Sequence, residues 1–220
     1  GSPPVGGGGY TLATTCCLWQ TSTSTSTMDL LVGDINGDGM DDIVDINDGQ
    51  NIAHYMIPTG GGNWFLNQQE SWTSSSYEFS VCGKLADFDN DGLLDLFVAN
   101  FYGQSELYIN SVQGMPTSAT WTSAQSYDSM DCDVGDIDGD GYVDAIISTE
   151  SDSNFLFHNN NGILSSNPVW STPEKDDTMG IGLWDVDADG DLDWVEANYN
   201  HSKNRIRLNS NGTFSTIIWE

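Results

Sequence analysis

Four short acidic segments carry the residues of this sequence that are best suited to chemistry. They follow the pattern D-x-[DN]-x-D-G-x-x-D and begin at Asp34, Asp87, Asp136 and Asp185. In such a segment the side chains at positions 1, 3 and 5 alternate so that their oxygens converge, and the Gly at position 6 permits a tight turn. A carbonyl at position 7 and the Asp at position 9 would complete a shell of hard oxygen ligands. That shell suits Ca²⁺, whereas Zn²⁺ favours His or Cys.

We therefore predict four calcium sites. The expected side-chain ligands at positions 1, 3, 5 and 9 are Asp34, Asn36, Asp38, Asp42, Asp87, Asp89, Asp91, Asp95, Asp136, Asp138, Asp140, Asp144, Asp185, Asp187, Asp189 and Asp193. The expected carbonyl ligands at position 7 are those of Met40, Leu93, Tyr142 and Asp191. An EF-hand is not indicated, because position 12 is Glu in the last segment only. Ordinary Asp-Gly turns would explain one such segment, but four in register make that explanation weak.

The acidic segments belong to a tandem repeat. Their first residues are 53, 49 and 49 positions apart, and five tryptophans (Trp19, Trp72, Trp121, Trp170 and Trp219) recur at 53, 49, 49 and 49. Short apolar runs and Asn- and Gly-rich turns indicate four strands per repeat, without helical periodicity. Four strands in a repeat of 40–50 residues are typical of a β-propeller blade. We predict an all-β, β-propeller-type fold with four blades of four antiparallel strands, each blade carrying one calcium loop.

The sequence divides into three parts. Residues 1–9 are predicted to be a Gly- and Pro-rich flexible leader, and residues 10–27 an extra outer strand followed by a Ser/Thr run. Residues 28–220 are predicted to form the four-blade calcium-binding repeat domain. The segment from Tyr10 to Trp19 resembles the last strand of a blade whose other strands are missing. This surplus strand would pair with another subunit, or else the chain is a fragment of a longer array.

The acidic loops and the flanking strands together resemble the FG-GAP/VCBS repeat family, whose members include the calcium-binding blades of integrin alpha-subunit propellers. The resemblance covers residues 28–219. It implies that each loop joins the first two strands of a blade and holds one Ca²⁺. Related propellers commonly have seven blades, whereas four motifs occur here, and the Phe-Gly and Gly-Ala-Pro signatures of the integrin version are absent.

The charge of the chain agrees with cation binding. It has 5 Lys+Arg against 33 Asp+Glu, a formal net charge of −28. This excess disfavours nucleic acid and anionic membranes as partners. No apolar run is long enough to span a membrane. Extracellular calcium modules bind in the ~10⁻⁴–10⁻³ M range, and we therefore expect an extracellular or cell-surface protein whose folding is coupled to calcium binding.

Cysteines and sequons are consistent with that location. Cys82 and Cys132 both precede an acidic loop, on strands that would be neighbours, so a disulfide between them is plausible, although free buried thiols remain an alternative. Cys16 and Cys17 would pair with each other, with another chain, or not at all. Asn200 and Asn211 begin weak N-glycosylation sequons, and the Ser/Thr run 21–27 is a candidate for O-glycosylation.

Three function classes follow from these features. We do not expect an enzyme, because the three histidines occupy unrelated places in the repeats and no catalytic motif accompanies them; a carboxylate pair for glycoside cleavage stays open. The favoured hypothesis is a secreted calcium-binding structural subunit that assembles with other chains through its terminal strand, for example into a fibre or surface layer. The alternative is an adhesion or glycan-binding propeller, with Trp64, Tyr102 or Tyr199 as stacking candidates.

Overall fold

The computed structural model describes residues 21, 24–60, 63–214 and 216–219. This part of the chain contains β-strands and no helix, which confirms the all-β class. The strands are β1 (Ser26–Gly33), β2 (Asp42–Gly49), β3 (Ile52–His54), β4 (Met56–Gly60), β5 (Asn63–Leu66), β6 (Trp72–Thr73), β7 (Glu78–Ala86), β8 (Asp95–Tyr108), β9 (Trp121–Gly135), β10 (Asp144–Thr149), β11 (Phe155–Phe157), β12 (Trp170–Ser171), β13 (Thr178–Trp184), β14 (Asp193–Asn198), β15 (Arg205–Leu208) and β16 (Thr216–Trp219). The predicted surplus strand and the Cys16-Cys17 pair lie outside the described residues.

The strands fall into four successive units, which we call repeat 1 (residues 26–73), repeat 2 (78–128), repeat 3 (129–171) and repeat 4 (178–219). All pairs in the sheets are antiparallel, and in repeat 4 the order β13-β14-β15-β16 follows the sequence. Repeat 1 pairs β1, β2, β3 and β6 in the same way. The extra β4–β5 hairpin occurs in repeat 1 alone among the described residues, which accounts for its longer spacing.

Repeats 1 to 3 are joined into one ten-stranded sheet, which the sequence had not indicated. Two features join them. Strand β2 pairs with β7 at Asp48–Phe79, and β9 runs without a break from repeat 2, where it pairs with β8, into repeat 3, where it pairs with β10. The sheet path runs from β12 to β6 and does not close on itself within the described residues.

The hydrophobic core lies between consecutive repeats. One buried cluster joins repeats 1 and 2, including Ile35 and Leu96; a second joins repeats 2 and 3, including Phe88 and Phe157; a third joins repeats 3 and 4 around Trp194. Each repeat is too thin to bury its apolar faces alone, so stability comes from stacking on a neighbour.

Two sequence predictions concern these inter-repeat contacts. A disulfide joins Cys82 and Cys132, as expected. Three of the periodic tryptophans contact the clusters between repeats: Trp72 is buried and donates its indole N–H to the Pro116 carbonyl of repeat 2 (3.0 Å), while Trp121 and Trp170 pack against the second and third clusters. These three side chains therefore contribute to the packing between repeats.

Candidate metal centres

Each acidic loop is the connection of a β-hairpin. The residue before the loop pairs with the Asp at position 9, as in Gly135–Asp144 between β9 and β10 and Trp184–Asp193 between β13 and β14. The loops of repeats 1 and 2 sit equivalently between β1 and β2 and between β7 and β8. The loops thus join the first two strands of each repeat, as the family resemblance implied.

Backbone amides fold each loop around its first carboxylate. In repeat 3, Asp136 accepts hydrogen bonds from the N–H groups of Asp140 (3.0 Å) and Gly141 (2.9 Å). The N–H of Asp140 also reaches Asp138 Oδ1 at 3.2 Å. The same contacts recur in the other three loops at 2.8–3.2 Å. Four independent copies of one hydrogen-bond pattern indicate a loop shape dictated by the motif itself.

The loop backbone also requires positive φ at two positions. The glycine at position 6 has φ between 84° and 101° in all four loops, as its predicted role in the turn requires. Position 4 is equally left-handed, with φ of 74° at Gly37, 60° at Asn90, 74° at Gly139 and 63° at Ala188. Sequence reasoning missed this second position, although Gly and Asn at three of its four occurrences were a signal for it.

The carboxylate at position 9 is buried and anchored by backbone amides. Asp144 is 1% exposed, and its Oδ2 accepts from the Ile137 N–H (3.0 Å) and its Oδ1 from the Asn159 N–H (2.7 Å). Burial raises the pKa of Asp95 and of Asp144 to about 6, because desolvation outweighs the amide hydrogen bonds that lower it. Burial likewise raises the pKa of Asp42. A nearby positive charge would therefore stabilise the ionised form of these three carboxyl groups.

In repeats 2, 3 and 4 the carboxylates at positions 1, 3 and 9 converge, with one oxygen of each lying within 4.8 Å of the others. The three sets are Asp87, Asp89 and Asp95; Asp136, Asp138 and Asp144; and Asp185, Asp187 and Asp193. These sets could hold a metal ion, and hard carboxylate oxygens fit Ca²⁺. The loop of repeat 1 differs by having Asn36 at position 3, whose Oδ1 accepts from the Asp38 N–H (2.9 Å).

The position-5 carboxylates do not belong to these three convergent sets. In repeat 3, Asp140 instead accepts the Tyr142 N–H through Oδ1 (2.9 Å), and its Oδ2 lies 3.8 Å from His158 Nε2. The same imidazole nitrogen lies 2.8 Å from Asp138 Oδ2. The loop of repeat 3 is thus set apart by a histidine that the sequence pattern had not connected with it.

In repeats 2, 3 and 4 an asparagine links the acidic loop to the loop of the preceding repeat. The Asn159 side-chain amide donates to the Phe88 carbonyl at position 2 of the previous loop (2.8 Å) and to the Val143 carbonyl at position 8 of its own loop (3.0 Å). Asn110 and Asn209 make the equivalent pairs of contacts at 2.7 and 3.1 Å. Sequence reasoning missed these residues, although an Asn follows position 9 by 15 or 16 residues in repeats 2 to 4. In repeat 1 the place is taken by Met56, whose N–H alone reaches Asp42.

The other residues singled out in the sequence lie apart from the loops. Trp64, Tyr102 and Tyr199 are exposed, as are Asn200 and Asn211 of the two sequons. The described residues contain no helix long and apolar enough to cross a membrane.

The comparison with protein families identifies these loops and strands. The model of the FG-GAP-like repeat matches residues 87–147 and, overlapping them, residues 136–196. The two matches together cover half of the chain, and the protein therefore belongs to the FG-GAP-like repeat family. None of the curated proteins compared with the chain matches it significantly in sequence.

Solved structures of propeller-like proteins share the fold. The N-terminal part of BBS1, in complex with ARL6, is 14% identical with a TM-score of 0.61, over 91% of this chain and 59% of that one. A lectin of Agrocybe aegerita that recognises non-reducing terminal N-acetylglucosamine is 16% identical with a TM-score of 0.55, over 86% and 52% of the two chains. The V. cholerae biofilm matrix protein Bap1 is 17% identical with a TM-score of 0.51, over 89% and 32%. The chain spans 32% to 59% of their lengths, and these likenesses establish a β-propeller-like fold alone.

Proposed function

We propose that the protein is a secreted, calcium-binding, non-enzymatic module of propeller blades that acts in extracellular adhesion or matrix structure. The observation that carries this proposal is the convergence of three carboxylates in the loops of repeats 2, 3 and 4. The disulfide supports an oxidising location. In this proposal each repeat is one blade of four strands. The acidic loop of each blade binds one Ca²⁺ through the oxygens at positions 1, 3, 5, 7 and 9, which gives four sites in the chain.

Calcium would stabilise the fold as well as fill the loops. Each loop places several carboxylates close together, and the buried Asp at position 9 lacks a cationic partner within its loop. Because binding to the folded state alone adds to folding stability, calcium is expected to raise the melting temperature. At a free concentration 100 times Kd the added stability is about 2.7 kcal/mol per site.

Calorimetric titration with Ca²⁺ tests the proposal. We expect four bound ions, and three after Asp136→Asn, which removes a position-1 carboxylate. Asp128→Asn is the matched control, because Asp128 is an exposed aspartate outside the loops, and it should retain all four. No calcium binding, or an equal loss in both variants, would refute the assignment of the ligands.

A second candidate function, glycan binding, is favoured by a cavity of about 580 Å³ between repeats 2 and 3. Its lining includes Trp121, His158 and Asn160, which offer an aromatic face and polar groups of the kind that bind sugars. The likeness in fold to an N-acetylglucosamine-recognising lectin adds support. Titration with N-acetylglucosamine and other monosaccharides, comparing the parent with Asn160→Ala, tests it; binding that Asn160→Ala leaves intact would locate the sugar elsewhere.

The structural role includes assembly with other chains. The segment from Tyr10 to Trp19, through which the sequence suggested strand pairing, lies outside the described residues. Deletion of residues 1–19 tests that route, because it should abolish assembly if the strand is the joint and leave calcium binding unchanged.

A further inference from the structure

Within the described part of the chain, repeat 1 exposes a face that the later repeats bury. In repeats 3 and 4, the side chains two and four residues before the acidic loop pack into the cluster shared with the preceding repeat. In repeat 4 these residues are Ile181 and Leu183, both 9% exposed within the third core cluster. The equivalent residues of repeat 1 are Leu30 and Val32, which are 53% and 60% exposed. Repeat 1 therefore presents an apolar surface of the type that elsewhere contacts a neighbouring repeat.

The last repeat leaves uncovered the opposite face. In repeats 1, 2 and 3 the following repeat buries the apolar residue at position 2 of the loop; these residues are Ile35, Phe88 and Ile137, which are 3%, 0% and 2% exposed. The equivalent residue of repeat 4, Val186, is 39% exposed. Trp184, immediately before this loop, is 72% exposed. Repeat 4 thus ends on the surface that repeats 1, 2 and 3 use to receive a neighbour.

The two uncovered faces differ from the internal ones in a complementary way. At internal junctions a small residue before the loop receives a large residue from position 8 of the next repeat: a Cβ on Gly33 would lie 2.8 Å from Leu94, and one on Gly135 would lie 2.6 Å from Leu192. At the two exposed faces the sizes are exchanged, because Trp184 takes the position that Gly33 and Gly135 hold in their repeats, and the shorter, exposed Asp41 stands at position 8 of repeat 1.

We propose that the exposed end of repeat 4 packs against the exposed end of repeat 1 in a second copy of this chain. The contact continues the inter-repeat packing already present within the chain, with Trp184 placed against Asp41 and Val186 beside Leu30 and Val32. The inference deepens the assembly role proposed above and rests on it, but uses a surface distinct from residues 10–19. Since the two faces differ, the contact is head to tail, and it generates a closed ring or an extended filament according to its rotation.

This junction should be weaker than the internal ones. Internal junctions add a side-chain amide that reaches the position-2 carbonyl, as Asn209 reaches Ile137 at 2.7 Å. Met56 stands in the place of that asparagine in repeat 1, and its side chain has no hydrogen-bond donor. The net charge of −28 also opposes the approach of two copies, so bound calcium would favour the contact by reducing that charge. Reversible association that strengthens in calcium follows from both features.

Three matched valine substitutions test the proposal by sedimentation velocity in millimolar calcium. The parent should associate as its concentration rises. Val32→Glu and Val186→Glu should each weaken self-association at least about tenfold, because a carboxylate would be buried in an apolar contact. Val112 lies in a turn away from both faces and is 87% exposed, so Val112→Glu should associate like the parent. Trp184→Ala, which adds no charge beside the loop, should weaken association in the same direction as Val186→Glu.

Mixing the variants is the decisive step. Each single variant keeps one intact face, so an equimolar mixture of Val32→Glu and Val186→Glu should form a one-to-one dimer and nothing larger. A monomeric parent at every concentration, or a mixture that stays monomeric, would overturn the proposal. Association that survives Val32→Glu but is lost on deleting residues 1–19 would overturn it in favour of strand pairing. Calorimetric calcium titration of each variant shows separately whether the calcium sites themselves are present.

Discussion

Replacing Asn159 by alanine is expected to destabilise the protein more than its single side chain would suggest. The Asn159 side chain is fully buried, and its amide donates to the carbonyls of Phe88 and Val143, which belong to the loops of repeats 2 and 3. Its Oδ1 has no hydrogen-bond partner among the described residues. The effect of Asn159→Ala is therefore assigned to the two lost N–H donors.

The expected loss follows from the two carbonyls. Leaving a buried polar group without a partner costs about 1–3 kcal/mol, so two carbonyls give a loss of about 2–6 kcal/mol. The backbone N–H of residue 159, which binds Asp144, is retained. Asn159→Asp keeps the shape but places a carboxylate against two carbonyls, and its loss should be at least as large.

Equilibrium urea unfolding in saturating calcium measures this loss. Asn160→Ala is the matched control, because Asn160 is adjacent but exposed, and its free energy of unfolding should stay within about 0.5 kcal/mol of the parent. An Asn159→Ala protein that unfolds at the same urea concentration as the control would show that the bridge between the loops contributes nothing.

Three further predictions concern other parts of the molecule. Replacing both Cys82 and Cys132 by alanine should lower the free energy of unfolding by about 4 kcal/mol, since the disulfide closes a loop of about 50 residues; urea unfolding of the double variant measures this, and an unchanged midpoint would contradict it. Calcium affinity should fall as the pH drops through about 6, because Asp95 and Asp144 then take up protons that compete with the metal. Without calcium the same raised pKa values act oppositely: the protonated carboxyls stabilise the fold in acid, and that stability is lost as the pH rises through about 6. Calcium titrations at pH 5 to 7.5 measure the affinity, and thermal melts with a chelator over the same range measure the stability of the calcium-free protein. If affinity and calcium-free stability changed in the same direction with pH, this account would be refuted. Ala188→Gly should stabilise the protein by up to about 1 kcal/mol, because it relieves a left-handed residue; a lower thermal midpoint would contradict it.

The sequence alone was sufficient to predict features that local patterns encode. The period of the acidic segments and tryptophans predicted a repeat of short strands, and alternating apolar residues predicted their all-β class. Position 6 of the loop needed glycine for its φ, and the spacing of Asp136, Asp138 and Asp144 predicted their convergence. The pairing of Cys82 with Cys132 could also be suggested, because each precedes a loop at nearly the same place in its repeat. The identity of the ion stays a prediction from the chemistry of the oxygen ligands.

Only the tertiary structure showed how the repeats are joined. The bridge from Asn159 to Phe88 spans two loops, and no local pattern shows which carbonyl a side chain reaches. Among the described residues, the contact of His158 with Asp138 occurs in repeat 3 alone, so periodicity gave no signal for it. The exposure of Val186 against the burial of Ile137 is equally invisible in the sequence, where both are apolar residues at position 2. Burial and partners depend on which repeat stacks on which, and that is decided by packing between segments far apart in the chain.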